Sequence, residues 1–170
     1  MIGFPIIRGI HETEISFLEE MLYEAIFIPE KIEKLPKEII KHPELSRYLK
    51  EFGKKGDICL VAELQGKLIG AIWTRLYTEN EKGYGFVNEE TPELSMAVFE
   101  QYRHRGIGTL LLKEMIRKLI EHNYKQVSLS VDKQNYAYDF YKENGFEIFE
   151  STEKSATMIK RMIKNNDGSA

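Results

Sequence analysis

Apolar residues recur with two different periods along the chain, and the change of period separates strands from helices. Alternation with period two, or a short apolar run, indicates a strand, whereas apolar positions three and four apart indicate an amphipathic helix. Seven strands are predicted, over residues 4–10, 57–64, 67–76, 94–99, 126–131, 146–149 and 158–163. Four helices are predicted, over residues 11–27, 36–52, 106–121 and 136–144.

The order of these elements predicts the fold class. It is neither a regular βαβ array nor an all-β pattern. It indicates an α+β domain, in which a mixed, mostly antiparallel sheet of about seven strands carries about four helices on its two faces. Gln65-Gly66 predicts a tight hairpin between the second and third strands. Residues 77–92, rich in Gly, Glu and Asn, predict a long loop of the kind that is often functional.

Composition and charge narrow the class of protein. The 170 residues suffice for one domain, which we expect over residues 1–164, with a flexible tail over 165–170. The formal charge of −3 argues against a nucleic-acid-binding protein, since such proteins neutralise phosphates with basic surfaces. No apolar run approaches the ~20 residues of a membrane span, and the N-terminus lacks a signal-peptide pattern. A cytoplasmic protein without a membrane partner is therefore expected.

Cysteine and histidine usage gives no sign of metal or disulfide chemistry. Cys59 is the single cysteine of the sequence and lies in an apolar run, which predicts a buried thiol. The four histidines are dispersed along the chain. No metal site is therefore predicted.

Residues 103–109, Arg-His-Arg-Gly-Ile-Gly-Thr, carry the strongest chemical signal. They lie between a predicted strand and a predicted helix, and the free N–H groups and dipole of a helix's first turn favour an anion. Gly106 and Gly108 let the backbone approach a phosphate, since no Cβ intervenes. Arg103 and Arg105 add cationic donors. A phosphorylated ligand is therefore predicted at this turn.

Three kinds of phosphate-binding loop compete for this turn. A P-loop needs a lysine directly after its last glycine, but Thr109 follows Gly108. A dinucleotide-binding fingerprint needs a third glycine at the position of Leu111. The remaining pattern, R-x-x-G-x-G, is complete in Arg103, Gly106 and Gly108.

With this pattern and two further segments, the chain resembles the GNAT superfamily of N-acetyltransferases. Residues 91–98 resemble the family's fourth strand, and residues 102–111 resemble its pyrophosphate loop and third helix. Residues 132–146 resemble the segment after its fifth strand. Asn135 lies two positions before Ala137, whereas a common family spacing is three. The resemblance is looser outside these segments.

The resemblance implies acetyl-coenzyme A as co-substrate. The N–H groups of residues 106–109 would bind its pyrophosphate, and the main chain of residues 96–98 would pair with its pantetheine arm. His104 would contact a phosphate or face water, and Asn135 would bind the arm or cap the helix that follows it. The cofactor-binding residues implied in this way are Met96, Ala97, Val98, Arg103, His104, Arg105, Gly106, Ile107, Gly108, Thr109, Asn135 and Tyr138.

The resemblance also implies two catalytic residues. Tyr141 would protonate the departing thiolate, since a phenol with a pKa near ~10 is protonated at neutral pH. The alternatives are that Tyr141 is an aromatic core residue and that Tyr138 is the donor. Glu93, which strand alternation places on the same face as Ala97, would take a proton from the amine. The alternative for Glu93 is a solvated acid at a strand end.

The residues together predict an acetyl-coenzyme A-dependent N-acetyltransferase that acts by direct transfer in a ternary complex. The alternative is a non-catalytic acyl-coenzyme A-binding or regulatory module on the same fold. The acceptor stays open, from small amines to protein N-termini, because residues 27–35, which border the acceptor site in the family, contain no clear substrate pattern. A homodimer is expected by analogy.

Overall fold

The computed structural model describes residues 3–163, and a seven-stranded sheet forms their centre. The strands are β1 (Ile6–Gly9), β2 (Ile58–Leu64), β3 (Lys67–Arg75), β4 (Glu93–Val98), β5 (Gln126–Asp132), β6 (Glu147–Ser151) and β7 (Ser155–Arg161). Their order is β1-β2-β3-β4-β5-β7-β6, and every neighbouring pair is antiparallel except the parallel pair β4–β5. The predicted α+β class and the mostly antiparallel sheet are confirmed.

The parallel junction between β4 and β5 positions the site. Among the described residues these two strands share one register pair, Glu93 opposite Ser128, while β4 pairs with β3 from Glu93 to Val98. Beyond Glu93 the two strands therefore separate, and the edge of β4 that faces β5 keeps main-chain groups free of sheet partners.

Helices cover both faces of the sheet. The α-helices are α1 (Phe17–Ala25), α2 (Pro43–Ser46), α3 (Ile107–Glu121) and α4 (Ala137–Glu143). One apolar layer, which includes Leu18 and Trp73, packs under α1. The other, which includes Leu111 and Leu129, packs under α3. The sheet is thus buried on both sides, as predicted.

The predicted helix over residues 11–27 is wrong at its start. A 3-10 turn (Glu12–Glu14) precedes α1. The Glu14 carboxylate accepts hydrogen bonds from the His11 N–H and from the Arg8 guanidinium, all between 2.8 and 2.9 Å. These bonds anchor the turn to β1 and so separate it from the longer helix.

The predicted helix over residues 36–52 is wrong in its continuity. A 3-10 turn (Lys37–Lys41) and the four-residue α2 take its place. Pro43 is the cause, because it has no N–H group and forces the residue before it out of the helical conformation. His42 accordingly has a ψ of 135°.

The two turn predictions in the middle of the chain are confirmed. Gln65 and Gly66 have φ angles of 50° and 78°, as a tight hairpin turn requires. Residues 77–92 form a loop that holds an isolated bridge between Thr78 and Glu81 but no sheet strand.

The last two strands are displaced from their predicted positions at 146–149 and 158–163. β6 and β7 are joined by a turn in which the Thr152 N–H donates to the Ser155 carbonyl oxygen (2.8 Å), so both strands extend toward that turn. The five residues of β6 are all exposed, so no apolar alternation marked its end. The predicted tail over 165–170 lies outside the described residues.

Candidate active site

A cavity of about 870 Å³ lies where β4 leaves β5. One wall is formed by β4 and the first turn of α3, and the second by one side of α4 and the residues just before it. The third wall is the end of α1 with the segment that follows it. Most of the residues predicted for the site line this cavity. They are Met96, Ala97, Val98, Arg103, His104, Gly106, Ile107, Gly108, Thr109, Asn135 and Tyr141. Arg105, Tyr138 and Glu93 do not line it.

The first turn of α3 faces the cavity with its N–H groups uncapped by any side chain. Its N-cap is Gly106, which has a φ of 82° and so occupies the left-handed region that favours glycine. At Gly108 an added Cβ would meet its nearest neighbour, Met96 Cε, at 3.6 Å, which is ordinary contact. Packing within the chain therefore does not explain a glycine at position 108.

The two arginines of the turn have different environments. The Arg103 guanidinium donates to the Val98 carbonyl oxygen (2.8 Å) and to the Glu24 carboxylate (3.2 Å), so it is tied to β4 and to α1. The Arg105 guanidinium lies over the Tyr102 ring, 5.8 Å from its centroid. Neither contact was visible in the sequence, where both arginines were expected to supply charge to a phosphate.

His104 and Asn135 lie on the cavity wall in defined conformations. His104 has a φ of 61°, and its ring centroid lies 4.8 Å from that of Tyr136. The Asn135 side-chain oxygen accepts a hydrogen bond from the Ala137 N–H (2.9 Å) at the start of α4. Asn135 thus caps this helix, which was one of its two expected roles.

Tyr141 is the aromatic hydroxyl of α4 that lines the cavity. It is 6% exposed and packs edge-on against Phe140 and Phe146, with ring centroids 5.4 and 5.3 Å apart. Burial raises the pKa of its phenol, with a smaller contribution from Tyr136. Tyr138, in contrast, has its ring covered by the Lys142 ammonium at 4.0 Å.

Glu93 is buried beside the cavity rather than in its wall. It is 3% exposed, and its carboxylate accepts a hydrogen bond from the Gly85 N–H. Burial raises the pKa of Glu93 to about 7, against the opposing effects of the Tyr48 hydroxyl and the Gly85 N–H, which favour the ionised carboxylate. A carboxylic acid with this pKa changes its charge in the neutral range.

Two neighbours of the predicted site residues have no signal in the sequence. Glu24 meets Arg103 from 79 residues away, and Tyr48 reaches Glu93 from α2's C-terminal side. The apolar wall after α1, residues 25–28, lies partly within the 27–35 segment that the family resemblance pointed to.

The described residues, 3–163, contain neither a metal-binding group of side chains nor a membrane-spanning helix. Within this part of the chain, no three His, Cys, Asp or Glu side chains are grouped so that they could hold a metal ion. No helix there has the length and apolar character needed to cross a membrane.

Comparison with known proteins gives three findings. A family model described as acetyltransferase (GNAT) family matches residues 21–146. An N-alpha-acetyltransferase of Sulfurisphaera tokodaii is 38% identical over 96 residues, which cover 51% of this chain and 54% of the relative. An N-alpha-acetyltransferase of Sulfolobus acidocaldarius is 32% identical over 109 residues, which cover 58% and 60%. The chain thus spans little more than half the length of these curated relatives.

Solved structures share the fold. PaiA N-acetyltransferase of Thermoplasma acidophilum, in complex with coenzyme A, superimposes with a TM-score of 0.68 and 22% identity. The superposition covers 92% of this chain and 98% of that chain. At this identity the similarity establishes the architecture.

Proposed function

The chain belongs to the acetyltransferase (GNAT) family, and on this premise we propose that it transfers an acetyl group from acetyl-coenzyme A to an amine. One observation carries the proposal: α3 begins at a glycine turn with uncapped N–H groups on the wall of a large cavity. A diphosphate is the anion that suits such a helix start. The open space at Gly108, which the chain itself does not use, leaves room for it.

The rest of the cavity fits the arm of coenzyme A. From the glycine turn it follows the main chain of Met96, Ala97 and Val98. Because β4 has separated from β5 here, its free edge can pair with the amides of a pantetheine arm as a further strand would. Coenzyme A joins a diphosphate to such an arm, and it therefore matches both parts of the cavity.

Bound acetyl-coenzyme A would supply an activated thioester. The chain would then have to remove a proton from the acceptor ammonium and return one to the leaving sulfur. We assign the second task to Tyr141, because it lines the cavity and its raised pKa keeps the phenol protonated through the neutral range.

Glu93 is proposed as the group that takes the acceptor's proton. Its pKa of about 7 suits a base at neutral pH. Since it lies outside the cavity lining, we propose that the proton reaches it through polar groups on the same face of β4 rather than by direct contact.

Direct transfer between the two substrates is the simplest route for these residues. An acyl-enzyme would need a nucleophile in the cavity. Cys59 is the chain's single thiol; it is buried away from the cavity, and burial raises its pKa. A thiol in that state is not a nucleophile.

The acceptor is proposed to be the α-amine of a polypeptide. N-alpha-acetyltransferase is the name of both curated relatives. The cavity wall at residues 25–28 is Ala-Ile-Phe-Ile, which suits the first side chain of a peptide better than a polycation. The neighbouring carboxylate of Glu24 is already paired with Arg103.

A free-thiol assay with matched peptides tests this function. Two peptides of one sequence, each with an internal lysine, differ only in a free or a blocked N-terminus. We expect acetyl-coenzyme A turnover with the free peptide alone, and a gain of one acetyl group at the α-amine by mass spectrometry. Turnover with the blocked peptide would move the acceptor to lysine. Coenzyme A binding without turnover of any peptide or polyamine would indicate a non-catalytic acyl-coenzyme A-binding module instead.

A further inference from the structure

The long loop over residues 77–92 is pressed against Glu93 at the turn from Gly83 to Gly85. A Cβ at Gly83 would lie 2.6 Å from both carboxylate oxygens of Glu93. A Cβ at Gly85 would lie 2.6 Å from the Leu129 carbonyl carbon on β5 and 2.9 Å from Glu93 Oε1. Side chains cannot fit at either position, so this turn is built for close contact with one carboxylate.

Tyr48 holds this turn in place. Its hydroxyl oxygen accepts the Tyr84 N–H at 2.8 Å, between the two glycines that border the Glu93 carboxylate, and the hydroxyl favours the ionised form of that carboxylate. Its ring stacks on that of Tyr84, with centroids 6.4 Å apart. The Tyr84 hydroxyl in turn donates to Glu44 (2.8 Å), which lies in α2. The turn, α2 and the carboxylate are therefore one hydrogen-bonded unit.

We propose that Tyr48 is a positioning residue of the proposed active site: together with the Gly83–Gly85 turn it holds Glu93 in a buried pocket as the final proton acceptor. The proposal rests on the proposed function for the identity of the proton's source. It adds a residue and a loop to the site, both remote from the coenzyme A-binding turn.

Among the charged and titratable groups around Glu93, Tyr48 has a main influence on the pKa of its carboxyl group. Arg75, opposite Glu93 on β3, is paired with Asp57. From the C-terminal end of α2, Arg47 acts on Glu93 through space and favours its ionised form. The Tyr77 hydroxyl, buried nearby, has no hydrogen-bond partner among the described residues. Burial opposes the ionisation of Glu93, so each group that stabilises the carboxylate lowers its pKa measurably.

The proton path follows one face of β4. Glu93, Ser95 and Ala97 alternate onto this face, and Ala97 lines the cavity. The half-buried Ser95 hydroxyl lies between them. In the proposed step an N–H bond of the acceptor ammonium breaks, the proton moves along this face of β4 past Ser95, and an O–H bond forms at Glu93. The amine is left neutral with its electron pair free to attack.

Two phenylalanine variants test the role of Tyr48. Tyr48→Phe removes the hydroxyl that binds Glu93, whereas Tyr77→Phe removes a partnerless hydroxyl from the same cluster, 5.5 Å away between ring centroids. Without its donor the Glu93 carboxylate is less stable. We therefore expect the acidic limb of the kcat/KM profile for the peptide to move up by about one pH unit in Tyr48→Phe. The plateau at high pH should return to that of the parent, and Tyr77→Phe should keep the parent profile.

A second readout does not depend on turnover. Carboxyl ¹³C NMR, with the Glu93 resonance assigned by its loss in Glu93→Gln, should show the same upward shift of the Glu93 titration in Tyr48→Phe only. Equal profiles and equal titrations in all variants would overturn the positioning role. A drop in turnover by the same factor at every pH would show a structural role instead. If the parent protein turns over no amine but Tyr48→Phe still shifts the Glu93 titration, the proposed function is wrong. The effect of Tyr48 on the Glu93 carboxylate would then hold without amine acetylation.

Discussion

The Arg103 guanidinium lies 3.2 Å from the Glu24 carboxylate and joins the loop after β4 to helix α1 across the cavity. Both side chains are about one-quarter exposed and both line the cavity. Arg103 is also bound to the Val98 carbonyl oxygen. Arg103, the arginine of the R-x-x-G-x-G pattern, is therefore part of the cavity wall. The sequence pattern alone did not reveal these contacts.

A double-mutant cycle on this pair measures that wall contact. We expect Arg103→Gln and Glu24→Gln each to lower the free energy of unfolding, and their coupling to be about 0.5–1 kcal/mol, because the pair is partly exposed to solvent. Chemical denaturation of the parent, both single variants and the double variant gives the coupling. Strictly additive effects would mean that the ion pair contributes nothing to stability. A far larger loss of coenzyme A affinity in Arg103→Gln than in Glu24→Gln would indicate that Arg103 binds a phosphate of the cofactor.

Gly108→Ala separates folding from cofactor binding. The new methyl meets protein atoms only at ordinary distance, and alanine is the better helix former, so unfolding should become more difficult by up to about 1 kcal/mol. The same methyl enters the space assigned to the diphosphate. Coenzyme A affinity by calorimetry should then fall about tenfold or more, which corresponds to about 1.4 kcal/mol or more.

The matched control for this change is Gly9→Ala. Gly9 also has open space around its Cβ position but lies on β1, away from the cavity. It should leave coenzyme A affinity unchanged. Unaltered affinity in Gly108→Ala would place the diphosphate elsewhere.

Sequence patterns predicted what depends on neighbouring residues and missed what depends on distant ones. Periodicity located strands β1 to β5, the loop over 77–92 and helix α3, and the glycine motif located one wall of the cavity. Pro43 was the available signal that the second helix is broken. The contacts of Tyr48 with Glu93 and of Glu24 with Arg103 join residues far apart in the chain, and neither residue type is unusual at its position. Only the folded sheet brings them together.

Tyr141→Phe tests the proton donor. Removal of the hydroxyl should lower kcat about a hundredfold, a typical contribution of general acid catalysis, and should leave the dissociation constant of coenzyme A unchanged. The phenyl ring keeps the contacts with Phe140 and Phe146, so the fold should be preserved. Tyr138→Phe distinguishes the two tyrosines: a loss confined to that variant would make Tyr138 the donor.

Asp57→Asn tests the buried ion pair between Asp57 and Arg75, the residue that lies opposite Glu93 on β3. Two hydrogen bonds, of 3.1 and 2.9 Å, join the Arg75 guanidinium to the Asp57 carboxylate, and both side chains are buried. The variant leaves Arg75 without its counter-charge, which should cost about 3–5 kcal/mol of unfolding free energy. Glu51→Gln, which breaks the exposed pair with Lys54, is the control and should change little. Equal effects of the two variants would argue against a buried pair.

Glu93→Gln should make the protein more stable above about pH 4.5, with the full gain at neutral and higher pH. The pKa of Glu93 is about 7 in the folded protein against an ordinary value of 4.5, so the folded state holds this proton more tightly than the unfolded state. The parent therefore loses stability as the pH rises from about 4.5 to about 7, by about 3 kcal/mol, since one pKa unit corresponds to about 1.4 kcal/mol. Glutamine keeps an acceptor for the Gly85 N–H and carries no charge to bury. Denaturation at a series of pH values should show parent and variant converging near pH 4.5 and diverging up to pH 8. A stability difference that stays constant across this range would mean that Glu93 is ionised in the folded protein throughout. Glu93 would then not be a group that accepts a proton near neutral pH.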